Sequence, residues 1–326
     1  PEKHFLAGKS SSKVGRVGKE NKNDEVFTIM ASRGCPNNCV FCSLTSEKVR
    51  FRSVDNVLDE IEEKIEVTGI RYVSFIDSSL TIVKSYVREL CGKIIKRKMN
   101  IKWICYSRVD LDIELLKLMK KAGLVGIEIA LESGSPRVLK SIKKRIDIDQ
   151  FGRVCKDAYE LGIKVWVFCL ISLPDERVED VDMTLSVIRR MSRYIYRAGM
   201  QSVRILPDAA IYNIAMERGL LPSDFNWFKP YTNEVDINTS NPYYNTIPLY
   251  LEHLSQSDIV EKLNEFDKIV SSRFSSFYII KRALKSNLKM DTLKGLTLND
   301  LKRKTNKTFV MLISAFSNRK KLKKYQ

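Results

Sequence analysis

From residue 25 onward the chain alternates short β-branched runs with longer amphipathic ones. Six apolar runs read as strands: "EVFTIMAS", "RYVSFID", "IKWICYS", "LVGIEIALES", "IKVWVFCLIS" and "QSVRILP". Between them the spacing predicts helices at about 53–68, 80–98, 112–122, 147–161 and 177–198. Ser53 is a natural N-cap for the first, with Asp55 and Asn56 in its opening turn. Gly69, Gly123, Gly162 and Gly199 stand as stop signals behind helical runs. Strands alternating with helices at a period of roughly 30 residues mean parallel βαβ units and an α/β fold. Six units suit an open or partial barrel as well as a doubly wound sheet. In both, functional groups collect at the carboxyl ends of the strands.

The rhythm holds only from 25 to about 221. Residues 1–24 are polar and aperiodic and read as a linker or lead-in. Residues 222–326 read as a C-terminal extension. It is irregular and proline-rich over 222–248, then helical and increasingly basic.

The net charge is +17, and residues 261–326 carry 17 Lys/Arg against 5 Asp/Glu. That asymmetry predicts an anionic partner. For "TFVMLISAFSNRKKLKKYQ" the leading reading is a terminal helix that buries its apolar face and leaves its charges in water. Peripheral contact with an anionic membrane surface comes second. Nucleic acid ranks behind, because no RNA-binding module is recognisable. No secretory leader or bilayer-spanning run is seen, so the cytoplasm is the expected location.

Of seven cysteines, Cys35, Cys39 and Cys42 fall within "SRGCPNNCVFCS", directly after the first strand. Structural zinc takes four Cys or His ligands, usually as two pairs, and no second pair exists here. The two histidines, His4 and His253, lie far away in sequence. Iron–sulfur cubanes take four thiolates, so three would leave one iron open to another ligand. Polar groups follow the other strands: Asp77 and Ser78, Arg108, Glu132 and Ser133, "SLPDE" at 172–176, and Arg204 and Asp208. Each alone reads as ordinary loop polarity. The cysteines on the same face make them a candidate site. Cys105 and Cys169 sit in strands that would line a barrel, though the buried apolar reading outweighs a catalytic thiol for both.

The C-x3-C-x2-C run with Phe41 before its last cysteine resembles the signature of the radical S-adenosylmethionine (SAM) enzymes. "RFRSVDNVLDEIE", "KWICYSRVD", "LLKLMKKAGLVGIEIALESGSPRVLKSIKK" and "AMERGLL" extend that resemblance over residues 26–221, toward the branch whose members often carry an N-terminal cobalamin-binding domain. The resemblance implies a partial (β/α)6 barrel. It also implies a [4Fe-4S] cluster on Cys35, Cys39 and Cys42, and SAM chelating the fourth iron. It places Phe41 by the adenine, Asp77 and Ser78 by the SAM amino end, Arg108 on the SAM carboxylate, and Glu132 and Ser133 as further SAM contacts.

Reductive cleavage of SAM would give a 5′-deoxyadenosyl radical that attacks an unactivated carbon, with flavodoxin or ferredoxin as electron donor. Two departures touch the substrate side. The family's G-x-P-G-E-like turn reads "SLPDE" here, and the turn after the sixth strand reads "LPDAAIY". No D-x-H-x-x-G cobalamin run occurs, so either cobalamin sits on a domain outside these residues or the chemistry dispenses with it. The competing readings are an iron–sulfur electron carrier without SAM turnover and a methylthiotransferase-like tRNA modifier.

Overall fold

The computed structural model describes residues 25–44, 48–229, 231 and 246–273. The expected lead-in at 1–24 and the basic tail from 274 onward lie outside the described residues. Six strands form one parallel sheet: β1 (Phe27–Ile29), β4 (Tyr72–Phe75), β5 (Lys102–Ser107), β6 (Leu124–Glu132), β7 (Lys164–Ile171) and β8 (Arg197–Ser202). Their spatial order follows the chain, β1-β4-β5-β6-β7-β8. A doubly wound sheet reverses its order at a switch point; this one never does. Of the two architectures left open by periodicity, the structure is the partial barrel.

Helices return the chain between strands: α1 (Val54–Thr68), α2 (Lys84–Lys96), α3 (Ile113–Lys121), α5 (Ile148–Glu160) and α6 (Val178–Met191). The starts of α1, α3 and α5 follow from side chains that accept from otherwise orphaned backbone N–H groups. Ser53 accepts from Asn56, Asp112 from Leu115, and Asp147 from Gln150. Gly69 closes α1 in the left-handed conformation at φ +70°. A short α4 (Pro136–Ser141), capped by Ser135, follows β6 and went unpredicted.

Three boundaries differ from the sequence expectation. The helix expected over 80–98 begins as a 3-10 turn, Leu80–Ile82, before α2. The one expected over 177–198 ends at Met191. Gly199 is no stop signal: it lies within β8, with open space where its Cβ would be and an ordinary negative φ. The last strand therefore starts at Arg197, four residues before "QSVRILP".

Strand register sorts the sheet into two faces. Val73, Trp103, Ile127, Val165 and Ala198 share the face that the helices bury. Cys105 and Cys169 belong to this face, each only 1% exposed, so neither points into the barrel. Burial drives both thiols well above their ordinary range. Cys91 and Cys155 are likewise buried, in α2 and α5. The opposite, concave face carries Ser74, Ile104, Glu128, Trp166 and Phe168 in register, with Tyr106 still 40% exposed.

Beyond β8 come α7 (Ala210–Glu217) and α8 (Gln256–Arg273). The last packs on α6 and β8, with Lys262 paired to Asp182 and Arg189 to Glu265. No described helix is long and apolar enough to cross a membrane.

Gly134, just after β6, sits where α6 presses closest. A Cβ there would meet Thr184 Cα at 2.6 Å and Met183 O at 2.8 Å. Backbone cannot yield as a side-chain tip does. Gly134→Ala is expected to cost about 1–3 kcal/mol. Thermal unfolding should show a fall of about 2–4 °C per kcal/mol; an unchanged Tm would refute the close approach.

Candidate functional site

The cysteine run leaves the sheet at the carboxyl end of β1. Its loop is drawn shut by a two-residue antiparallel pair, β2 (Ser32–Arg33) with β3 (Arg50–Phe51). Two backbone bonds then brace its middle. Val40 N donates to Ile142 O at the end of α4, 3.2 Å, and Ile211 N at the start of α7 donates to Val40 O, 2.7 Å. A helix end offers spare carbonyls and a helix start spare N–H groups. The loop is wedged between one of each.

Asp77, only 1% exposed at the end of β4, anchors the entry to the loop. Its carboxylate accepts from Ala31 N at 3.3 Å, Ser32 N at 2.5 Å and Ser32 Oγ at 2.6 Å. Burial raises its pKa, and these bonds oppose the rise. Ser78 beside it is exposed.

Cys39 is the deepest of the three cysteines at 8% exposure. Burial raises its thiol, and the Lys144 ammonium pulls the other way. Cys42 N donates to Cys39 O at 3.1 Å, and Cys42 Sγ accepts from Leu44 N at 3.4 Å. Cys35 Sγ accepts from Asn37 Nδ2 at 3.3 Å. Asn37 Oδ1 in turn accepts from Arg108 Nη1 at 3.2 Å, which brings Arg108 to the loop from the end of β5. Arg108 Nε also reaches Asp110, 3.3 Å.

Glu132 sits where β6 breaks register. Ala130 pairs with Phe168 and Glu132 with Cys169, so Leu131 is an extra residue and the strand is re-aimed. Its φ is +63°, and its carboxylate is buried against Lys144 Nζ at 2.9 Å. The same ammonium lies 6.0 Å above the Phe41 ring. Lys144 thus gathers Glu132, Phe41 and Cys39 into one neighbourhood. Nothing in the sequence marked it, nor Asn37. Ser133 is fully buried and turned toward α6. Its Oγ lies 3.3 Å from Thr184 Oγ1 and accepts from Ser135 N at 3.2 Å.

The "SLPDE" turn keeps a glycine-like backbone without glycine. Ser172 and Asp175 adopt φ of +68° and +64°. Ser172 Oγ donates to Tyr250 O, and Asp175 N donates to Glu252 Oε2 at 3.0 Å. Glu176 closes the turn, accepting from Leu173 N at 3.1 Å. Its Oε1 has no partner, and burial pushes its pKa up to about 8.

The donor set can be tested against a metal. Thiolates around one zinc at about 2.3 Å would lie roughly 3.8 Å apart. Among the described residues the only trio with ligand atoms mutually within 4.8 Å is Asp175, Glu252 and His253, and Arg218 is paired to both carboxylates of that trio. The three cysteine sulfurs are therefore not gathered around a single ion. Three cysteines on one loop supply the kind of soft sulfur donors that an iron–sulfur cluster takes.

The radical SAM superfamily pattern matches residues 29–188. An uncharacterised methyltransferase of Pyrococcus horikoshii is 28% identical over 260 residues, 78% of this chain and 52% of that protein. The anaerobic magnesium-protoporphyrin IX monomethyl ester cyclase of Rubrivivax gelatinosus is 29% identical over 163 residues, 48% of this chain and 29% of that one. This chain spans about half or less of these relatives' length. The solved cobalamin-dependent SAM radical enzyme OxsB, with aqua-cobalamin and SAM bound, aligns with 90% of this chain and 50% of its own. That match has 17% identity and a TM-score of 0.55, a likeness of fold.

Two outcomes follow for this site. Lys144→Met leaves the Glu132 carboxylate buried and unpaired and is expected to cost about 1–3 kcal/mol. The double variant with Glu132→Gln should recover most of that loss in denaturant unfolding; additive losses would show that the pair is not coupled. Glu176 has an ordinary value of 4.5 and a folded value of about 8, so the folded protein holds its proton more tightly. The stability this lends is whole below pH 4.5 and drains away as pH rises to about 8. Glu176→Gln should flatten that decline in Tm measured from pH 5 to 8. A variant that declines as steeply as wild type would count against it.

Proposed function

Residues 29–188 are a radical SAM domain, and from that premise we propose that this enzyme reductively cleaves SAM at a [4Fe-4S] cluster and functionalises an unactivated carbon, by cobalamin-dependent methyl transfer. The observation that carries the reading is the braced loop at the end of β1. It offers three cysteines, with no fourth Cys or His in its sequence and with Arg108 and Lys144 at its flanks. The cluster, when bound and reduced, supplies the electron that splits SAM into methionine and a 5′-deoxyadenosyl radical.

The chain's own residues bind and orient. Cys35, Cys39 and Cys42 are the proposed cluster ligands. Arg108 uses Nη1 and Nε in its contacts with Asn37 and Asp110, which leaves Nη2 to meet a carboxylate such as that of SAM. Ser78 is exposed beside the loop and is assigned to the SAM amino end. Asp77 acts through Ala31 and Ser32, holding the loop entry. The backbone at Phe41 meets the adenine. Glu132, tied to Lys144, frames the polar side of the cofactor, and Ser133 supports it from α6. The electron comes from a low-potential donor such as flavodoxin or ferredoxin. Cobalamin is proposed to sit on a domain outside these residues, which accords with relatives about twice as long.

The cyclase relative favours a second reading, oxidative chemistry without methyl transfer. One experiment addresses both. Anaerobic reconstitution of the purified chain should bind about four irons, and dithionite with SAM should then yield 5′-deoxyadenosine. Cys35→Ala, Cys39→Ala or Cys42→Ala should abolish both. In the longer protein that includes the proposed cobalamin domain, adding hydroxocobalamin should produce S-adenosylhomocysteine if methyl transfer is the reaction; 5′-deoxyadenosine alone would favour the oxidative reading. An intact cluster that forms no 5′-deoxyadenosine would overturn the enzyme reading in favour of electron transfer.

A further inference from the structure

We propose that Asn37 is a positioning residue that raises the reduction potential of the cluster at Cys35, with Arg108 as its brace. The inference rests on the reading that Cys35, Cys39 and Cys42 hold an iron–sulfur cluster.

The geometry fixes which way the amide faces. A guanidinium donates and cannot accept. Arg108 Nη1 lies 3.2 Å from one end of the Asn37 amide, so that end is the oxygen. The NH2 group then faces Cys35 Sγ at 3.3 Å and donates to it. The contact is therefore N–H···S in sense.

Arg108 is itself held firmly. Its backbone N donates to Thr81 Oγ1 at 2.9 Å, and that buried hydroxyl lies 3.1 Å from Ser107 Oγ at the end of β5. Asp110 holds its Nε. The run from sheet to sulfur thus passes through one side chain anchored on a strand end and one short amide. A loop residue's sulfur is braced by the rigid part of the fold.

The electrostatic consequence has a definite sign. Reduction of the oxidised cluster adds one electron, and so one unit of negative charge, near Cys35. An N–H bond to the thiolate withdraws density from it and favours the more negative state. The Arg108 cation favours it again, and its bond to Oδ1 polarises the amide N–H further. Leu44 N makes the comparable contact to Cys42 from the backbone. Asn37 is the contact a side-chain change can remove.

The test reads a potential and needs no substrate. Reconstituted wild type, Asn37→Leu, Asn37→Asp and Asn37→Gln are titrated anaerobically with dithionite in the absence of SAM. The one-electron step from [4Fe-4S]2+ to [4Fe-4S]+ is followed by electron paramagnetic resonance. Asn37→Leu should make reduction about tenfold less favourable, which for one electron is about 59 mV. Asn37→Asp, which keeps an acceptor for Arg108 but loses the donor and adds a negative charge, should shift further in the same sense. Asn37→Gln should stay between wild type and Leu. If Asn37→Leu fails to bind iron, Asn37→Gln and Asn37→Asp carry the comparison. Variants that hold the cluster but reduce within twofold of wild type would overturn the tuning role and leave the cluster reading standing. A wild type that takes up no iron would overturn both.

Discussion

A carboxylate taken out of water must recover its lost hydration through hydrogen bonds. Asp77 does so at the join between the sheet and the cysteine loop, where it accepts from Ala31 and Ser32. That join would otherwise be weak. β1 is three residues long and, among the described residues, pairs only with β4. The clamp on Ala31 and Ser32 makes the short edge strand continuous with the loop it launches. From there the β2–β3 pair, the end of α4 and the start of α7 each add a constraint, until three cysteines are presented by a segment with almost no regular structure of its own.

The sheet divides labour between its faces. One is packed by helices and contains the isolated cysteines, whose thiols burial keeps protonated and inert. The other is concave and partly open, and it rises toward the loop ends where Arg108, Glu132 and Lys144 meet the cysteines. The Lys144 ammonium opposes the burial that raises the Cys39 thiol, and Arg108 reaches Cys35 through the Asn37 amide.

The sequence disclosed what periodicity and caps encode. The six strands, the parallel class, the Ser53 cap and the Gly69 stop were all legible, because each depends on neighbours within a few residues. The β8 boundary was not. Gly199 looked like a helix stop, yet open space around it lets a strand pass through. At the site the cysteines were legible from spacing alone. Asn37 and Lys144 were not, since their importance comes from partners brought close by the fold: Arg108 lies 71 residues from Asn37, and Glu132 is 12 residues from Lys144 across a helix. Asp77 and Ser133 were marked in the sequence only by their places just after strands. Their hydrogen bonds to Ser32 and Thr184 could come only from three-dimensional packing.

The turn at 172–176 shows how a backbone can outlive its glycines. Ser172 and Asp175 hold left-handed conformations that cost an L-residue of order 1 kcal/mol each, and their ties to Tyr250 and Glu252 offset that cost. Arg218 joins Asp175 to Glu252 from α7's end. These positions are therefore bound by epistasis. A change at Glu252 or Arg218 alters which residues Asp175 can be, although they are far apart in sequence. Glycine at either position would shed the left-handed strain, and at 175 it would keep the backbone bond to Glu252. What glycine would forfeit is the Ser172 hydroxyl's bond to Tyr250 and the Asp175 pair with Arg218.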